Sequence, residues 1–414
     1  MENNFFTLVG FEYKKIFKRK STYLSFLMIA FVITISLFGP IMGDYYVEGV
    51  KGISKYEMMD IDRQYSRANR GYIDENKIAE IIMQSKLLVA DKENLSSSNE
   101  IVLLSKDTYE KFALMYNPIM RIFGSVYAPK GNFLDYTAFY KLSADDAKSF
   151  YNKRLEKMEE FYSNQYYTDA EIKKYNELNA KINTPFYFDH YEGYDNILKQ
   201  SSGLSVFTAL LVSICIAPIF AGEYSGHTAQ LILASKFGKN KLILAKIVSS
   251  ITFSIFASFL VMGVTILLNL SVYGFDGSNV PLQVSYPLLP YPLTMLGAVI
   301  VNSVLSIMGI LLISMVTMLM SSILKNPFGV IIITNLMLFA PMFISTPENN
   351  GILATIIRLI PAKMFGILNV FSDHFFTFEN FAFTPYVFLP IFALIACILL
   401  IPFAYRAFKN YQVS

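Results

Sequence analysis

The residues able to do chemistry in this chain are few and scattered. There are three histidines and two cysteines in 414 residues. His190, His227 and His374 stand far apart, and none has the neighbour spacing of a metal-ligating pair. Cys215 and Cys397 each lie inside an apolar run, which suits neither a disulfide framework nor a thiolate metal site. Asp189-His190-Tyr191-Glu192 brings an imidazole and carboxylates together. One short polar cluster beside a membrane helix reads as solvated surface. A phosphate-cradling G-x-x-x-x-G-K-[ST] run, a G-x-S-x-G elbow and an H-E-x-x-H pair are all missing from the sequence. The chain is therefore read as a non-enzyme, with no catalytic, metal or cofactor-binding residues.

The segment that does carry a pattern runs from Pro218 to Lys246. Glu223 follows an uncharged run, a short amphipathic stretch continues through Leu231-Ile232-Leu233, and Lys236, Lys239, Lys241 and Lys246 precede the next apolar run. Such a segment can lie flat under a bilayer and present a knob to a soluble partner. A plain connecting loop would look the same. Asn269, Asn302 and Asn335 are the notable polar residues in or near the apolar runs. They are candidates for lining a path, with helix-to-helix hydrogen bonding as the other role.

The elements that must position these residues follow from composition. Apolar residues make up 54%, charged residues 16%, and the mean hydropathy is +0.41. A soluble domain carries roughly 25% charge, so this chain needs lipid as part of its solvent. A helix needs about 20 apolar residues to cross the hydrocarbon. Six runs are assigned as spans: 22–42, 201–222, 247–275, 293–324, 328–344 and 386–405. The first is too long for a signal-peptide core and lacks a cleavage site. Residues 352–370 contain Arg358, Pro361 and Lys363 and read as an interfacial or re-entrant piece. The fold class is thus an all-α polytopic membrane protein.

Charge sets the orientation. Residues 44–199 hold 21 Lys/Arg against 25 Asp/Glu, and the rest of the chain 14 against 7. The basic excess flanks apolar runs rather than forming a patch, which argues against nucleic acid. Lys14 to Lys20, Lys236 to Lys246, Lys325, and Arg406 with Lys409 all fall on one side under the six-span plan, which makes both termini cytoplasmic. Residues 1–21 form an entry helix, 223–246 a cytoplasmic segment and 406–414 a tail. Phe5, Phe6, Val9, Tyr13, Ile16 and Phe17 recur at helical spacing beside Lys14, Lys15 and Lys18, the pattern of a helix lying in the interface over about Asn3 to Phe17.

The insert at 43–200 is then extracellular and mostly helical, continuous at both ends with the flanking spans. Ser143-Ala144-Asp145-Asp146 and Thr168-Asp169-Ala170-Glu171 fit the capping-box pattern. Apolar stripes follow at Phe150, Tyr151, Leu155, Met158, Phe161 and Tyr162, and at Ile172, Tyr175, Leu178 and Ile182; Ile78, Ile81, Ile82, Leu88 and Val89 make a third. Eighteen of the 27 tyrosines lie in this insert, and they read as the aromatic part of a small core. No ionisable group sits centrally in any span, so the chain lacks the usual ion- or proton-coupling residue. If it moves a substrate, the energy is supplied elsewhere.

The order Phe220, Glu223, Gly226 and Thr228, Leu231-Ile232-Leu233, Ser235, Lys239 and Lys246 resembles the segment after the second span of ABC-2-type permeases. Phe11 to Lys20 is similar to that family's entry helix, and Leu359-Ile360-Pro361 before the last span fits as well. Ala234-Ser235-Lys236-Phe237 departs from the Pro and Ser-Arg common in the family turn, and the insert lies outside the resemblance. The resemblance implies a permease subunit of an ATP-driven exporter in a bacterial plasma membrane. It also implies a cytoplasmic ABC ATPase dimer that binds the ATP, and a second permease subunit, the same or a related chain. Glu223, Tyr224, Gly226, Thr228, Leu231 and Leu233 would couple to the ATPase. The insert's size points to a peptide-like or amphipathic cargo, as in antimicrobial-peptide export or self-protection. The alternative is a non-transporting sensor or mechanotransmission subunit moved by the same kind of ATPase.

The topology is open to direct labelling. Cysteines introduced near Lys241 and Arg406 are expected to resist an impermeant thiol reagent on intact cells, and one near Lys130 to react. The reverse pattern would refute the orientation.

Overall fold

The computed structural model describes residues 3–47, 50–91, 93, 114–129, 142–163, 167–235, 237–347, 351–371, 374–379 and 381–410. Among these, helices dominate. α1 (Asn3–Phe17) is followed by α2 (Lys20–Phe38). The insert holds α3 (Lys55–Ala68), α4 (Glu75–Ala90), α5 (Leu114–Val126), α6 (Asp146–Ser163) and α7 (Asp169–Asn179). Then come α8 (Glu192–Ile216), α9 (Pro218–Ser225), α10 (Ala229–Ala234), α11 (Ile243–Tyr273), α12 (Met295–Ile323) and α13 (Pro327–Phe339). α14 (Ile352–Arg358), α15 (Ile367–Val370) and α16 (Pro385–Lys409) complete the set. Among the described residues there are three two-stranded antiparallel sheets: β1 (Asp44–Val47) with β2 (Val50–Ser54), β3 (Gly71–Tyr72) with β4 (Tyr187–Phe188), and β5 (Phe376–Phe378) with β6 (Phe381–Phe383).

Five helical stretches are long and apolar enough to cross a membrane: Lys20–Ile41, Glu192–Ser225, Gly238–Tyr273, Met295–Ile323 and Pro385–Lys409. The run predicted as the fifth of six spans is the shorter helix Pro327–Phe343. Proline bounds it twice. Pro327 occupies its first turn, and Pro341 lies in the 3-10 turn that ends it. At 1.5 Å per residue it reaches only about 25 Å, short of a bilayer core of about 30 Å. The segment 352–370 does not form one helix. Pro361 opens a 3-10 turn between α14 and α15, and Ala354, Ile357, Met364 and Phe365 are buried.

α8 and α12 form the centre of the bundle, with α2, α11 and α16 packed around them. Lateral positions of α2 and α16 leave Leu24, Leu27, Phe31, Ile391, Ile398 and Phe403 exposed, an arrangement suited to lipid. α1 spans the residues expected of the entry helix. The extended backbone of Arg19 (φ −79°, ψ 132°) then turns the chain into α2. α1 lies along α11: Tyr13 donates from its hydroxyl to Thr252 Oγ1 at 2.7 Å, and the Phe17 ring meets Phe253 edge-on.

The insert joins the bundle differently at its two ends. Its last segment is continuous with α8, which begins at Glu192, nine residues before the predicted span. Its first segment is not continuous with α2. Gly39-Pro40 tightens the chain into a 3-10 turn, and the β1–β2 hairpin follows. This corrects the expectation of two unbroken junctions. The helix starts within the insert are as the caps require. Ser143 donates from both N and Oγ to Asp146 Oδ2, and Thr168 and Glu171 form a reciprocal box. Phe150, Met158, Tyr175 and Leu178 are buried, as are Ile78, Ile81 and Ile82, while Leu155 and Ile172 face outward. Pairing of Gly71 with Phe188 ties the early insert to its end. The side chains of Leu88, Val89 and Phe161 lie outside the description.

Arg154 anchors the insert to the 282–293 loop. Its guanidinium is buried and donates to Pro287 O at 2.7 Å, Leu289 O at 3.4 Å and Asn179 Oδ1 at 3.0 Å. Burial pulls its pKa down to about 10, so it remains charged at neutral pH. Arg154→Leu strands these acceptors and is expected to cost about 3 kcal/mol. The check is a thermal melt in detergent. An unchanged melting temperature would show that the anchor contributes nothing.

Candidate functional site

The residues singled out between Pro218 and Lys246 converge with α1 on a buried cluster of charge. Its floor is a break in the second candidate span. Pro218 lacks a backbone N–H and interrupts the helix after Ile216. Ser321 of α12 fills the break: its Oγ donates to Ala217 O at 2.6 Å and accepts from the backbone N–H groups of Phe220 and Ala221. The break starts α9, a helix of eight residues, and delivers Glu223 to the interior.

There Glu223 meets a closed ring of ion pairs. Lys246, fully buried on α11, donates its three protons to Glu12 Oε2 at 2.8 Å, Glu223 Oε1 at 2.7 Å and Ile219 O at 3.0 Å. Lys15 donates to Glu223 Oε1 at 2.6 Å and to Glu12 Oε1 at 3.2 Å. Two ammonium and two carboxylate groups therefore alternate, and the ring is neutral as a unit. Thr228 Oγ1 donates to the other carboxylate oxygen of Glu223, and the Thr228 backbone N–H donates to Glu223 O at 2.9 Å. Arg19 sits beside the ring and donates to Cys215 O and Pro218 O. Burial pulls the Lys15 pKa down, but hydrogen bonds and charge from Glu223 and Glu12 outweigh it and hold it above the ordinary lysine value.

The other predicted residues divide by exposure. Tyr224 is buried, donates from its hydroxyl to Ser322 O at 3.0 Å and packs against the Phe408 ring. Gly226 caps α9. In α10, Leu233 is buried and Leu231 is 73% exposed. Lys236 lies outside the described residues. The three asparagines are not gathered into one path. Asn269 donates to Thr265 O and Gln200 Oε1, linking α11 to α8, and Gln200 in turn donates to Ser36 O of α2. Asn335 accepts from Ser213 Oγ at 3.2 Å, linking α13 to α8. The Oδ1 of Asn302 is buried and accepts no hydrogen bond among the described residues.

Glu12 was missed, and so was the pairing of Lys15 and Lys246 with it. One signal was available: Glu12 is the sole acidic residue of 3–43, set in a basic, amphipathic segment. Its partner on α11 is 234 positions away, beyond the reach of local pattern. In comparisons with protein-family models, with curated proteins and with solved structures, no match was found.

Lys246→Met leaves Glu12 and Glu223 without their buried cation, with the half-exposed Lys15 still between them. It should destabilise the purified protein by about 3–5 kcal/mol, the scale of a broken buried pair. Adding Glu12→Gln removes one stranded charge, so the double variant should lose less than the sum of the singles by about 1 kcal/mol or more. Strict additivity in thermal or denaturant unfolding would mean that the ring is not an energetic unit.

Proposed function

We propose that this chain is the membrane-spanning permease subunit of an ATP-driven exporter, with ATP bound and hydrolysed by a separate cytoplasmic ABC ATPase dimer. The observation that carries this reading is the braced, exposed α10. Leu231 projects from a short helix whose neighbour Leu233 is buried, and Thr228 at its start is fastened to Glu223 and so to the ion ring. A push on α10 is therefore transmitted to α1 and α11 together. That is what a coupling segment requires: an apolar knob for a soluble partner, rigidly connected to several spans. Glu223, Tyr224, Gly226, Thr228 and Leu233 form the mount, and Leu231 the contact.

In this reading the termini and α10 face the cytoplasm of a bacterial cell, the insert faces outward, and a second permease chain completes the pore. The insert recruits a peptide-like or amphipathic cargo. Pro327–Phe343 would complete a six-span plan, its shortness offset by local thinning of the bilayer.

The test uses Leu231→Asp, because an exposed position can be changed without disturbing the mount. The variant is expected to melt like the wild type, to lose co-purification of its partner ABC ATPase, and to lower cargo efflux from reconstituted vesicles by about tenfold, the scale of a coupling energy of 1.4 kcal/mol. Glu223→Gln keeps the shape of the mount and should uncouple efflux from ATP hydrolysis while the ATPase still binds. Wild-type binding and efflux in both variants would overturn the reading.

A further inference from the structure

At the junction of the insert with the bundle lies a second set of ionisable groups, separate from the ring. Asp62 projects from α3, His190 precedes α8, and Glu192 is the first residue of α8. One ligand-capable atom from each lies within 4.8 Å of the other two. The sequence segment around His190 is not solvated surface: Asp189 is 5% exposed and His190 1%. We propose that Asp62, His190 and Glu192 form a site for a divalent first-row transition metal of the zinc type.

The donor set has the right chemistry. Two carboxylates and one imidazole supply two negative charges and three ligands of types that zinc accepts, the number used by zinc sites that keep a fourth position open. An imidazole donor disfavours magnesium and calcium, which take oxygen. The histidine is already oriented. Its Nε2 lies 2.7 Å from Tyr273 O, and a carbonyl oxygen can only accept. Nε2 therefore carries the proton, and Nδ1 presents a lone pair. A ligating histidine whose other nitrogen donates to a backbone carbonyl is the usual second-layer support of a metal site.

The carboxylates are left waiting. Glu192 Oε2 is buried and accepts no hydrogen bond. Asp62 makes no hydrogen bond or ion pair among the described residues. Two half-buried carboxylates this close repel each other, and a bound cation would relieve that repulsion. Of the nearby guanidinium groups, Arg63 donates to Val272 O at 2.6 Å while its Nε has no partner among the described residues, and Arg67 pairs with Asp276 at 2.5 Å.

The backbone around the histidine is close-fitted. Gly277 has a φ of +81°, and a Cβ there would lie 2.1 Å from His190 O; a Cβ on Gly193 would lie 2.5 Å from Gly274 O. Ligand atoms on a tetrahedral zinc sit about 3.4 Å apart, from bond lengths of 2.0–2.1 Å. The present spread, within 4.8 Å, is wider than that by about 1.4 Å at most. A bound ion would then tie α3 of the insert to α8, and through Tyr273 O to α11.

The full-length protein, purified in detergent after chelator treatment, is titrated with zinc by calorimetry and with cobalt by visible absorption. One equivalent should bind and raise the melting temperature, and cobalt should give d–d bands of a nitrogen–oxygen site. Asp62→Asn and Glu192→Gln keep side-chain size and should each weaken zinc affinity by more than about tenfold. Wild type that shows neither saturable zinc binding nor cobalt bands overturns the proposal. So does binding that is undiminished in both variants.

Discussion

An ammonium group removed from water must give all three of its protons to acceptors, and at Lys246 the rest of that end of the bundle is arranged around this demand. Glu12 and Glu223 answer with charge and Ile219 with a carbonyl. Each answer fixes an element. Glu12 fixes α1, which crosses α11 instead of trailing from α2. Ile219 and Glu223 fix α9, whose direction depends on the helix break at Pro218. Lys15 closes the ring from the side that is still partly exposed. The ring carries no net charge, so it can be buried intact at a fraction of the cost of burying its members separately.

Elsewhere in the bundle the polar groups are small and local. The hydroxyls of Ser205 and Ser306 share a hydrogen bond at 2.9 Å and those of Ser254 and Ser314 one at 2.6 Å, joining α8 and α11 to α12. Ser205 and Ser254 donate their single protons to the carbonyls four residues back, Ser201 O and Ser250 O, and so accept from the α12 serines. Short hydroxyl side chains let helices approach closely and satisfy themselves when no partner is near. The charged ring differs in reach: the serine pairs each join two helices, whereas the ring joins α1, α9 and α11 at one point.

The long apolar runs were legible because one physical cause, lipid solvation, acts on every residue in them. Their helices appear within a few residues of the expected bounds, apart from α8, where the charged first turns Glu192 to Lys199 concealed the true start. Caps at Ser143 and Thr168 were legible because a capping box is local. The end of α2 was misjudged: Gly39-Pro40 is a turn signal, but it sat inside an uncharged run and was outweighed by hydropathy. The ring was only half legible. A buried Glu223 demands a cation, but which lysine answers is decided by the packing of α1 on α11. His190 was obscured differently, since a polar tetrapeptide gives no hint that Gly193 and Gly277 close over it.

α8 has a mechanical consequence. It runs unbroken from Glu192, among the insert's last residues, to Ile216, where Ser321 bridges the helix break. A helix of 25 residues is about 37 Å long at 1.5 Å per residue. It behaves as a lever with its two loads at opposite ends. Pivoting about one end by 5° would sweep the other through about 3 Å, taking the helix as a straight rod. The single serine hydroxyl at Ala217 is then the bearing: stiff enough to keep the backbone satisfied, and small enough to let the angle change. Any tilt of α8 set at its insert end would be felt at that bearing, next to the ring that holds α10.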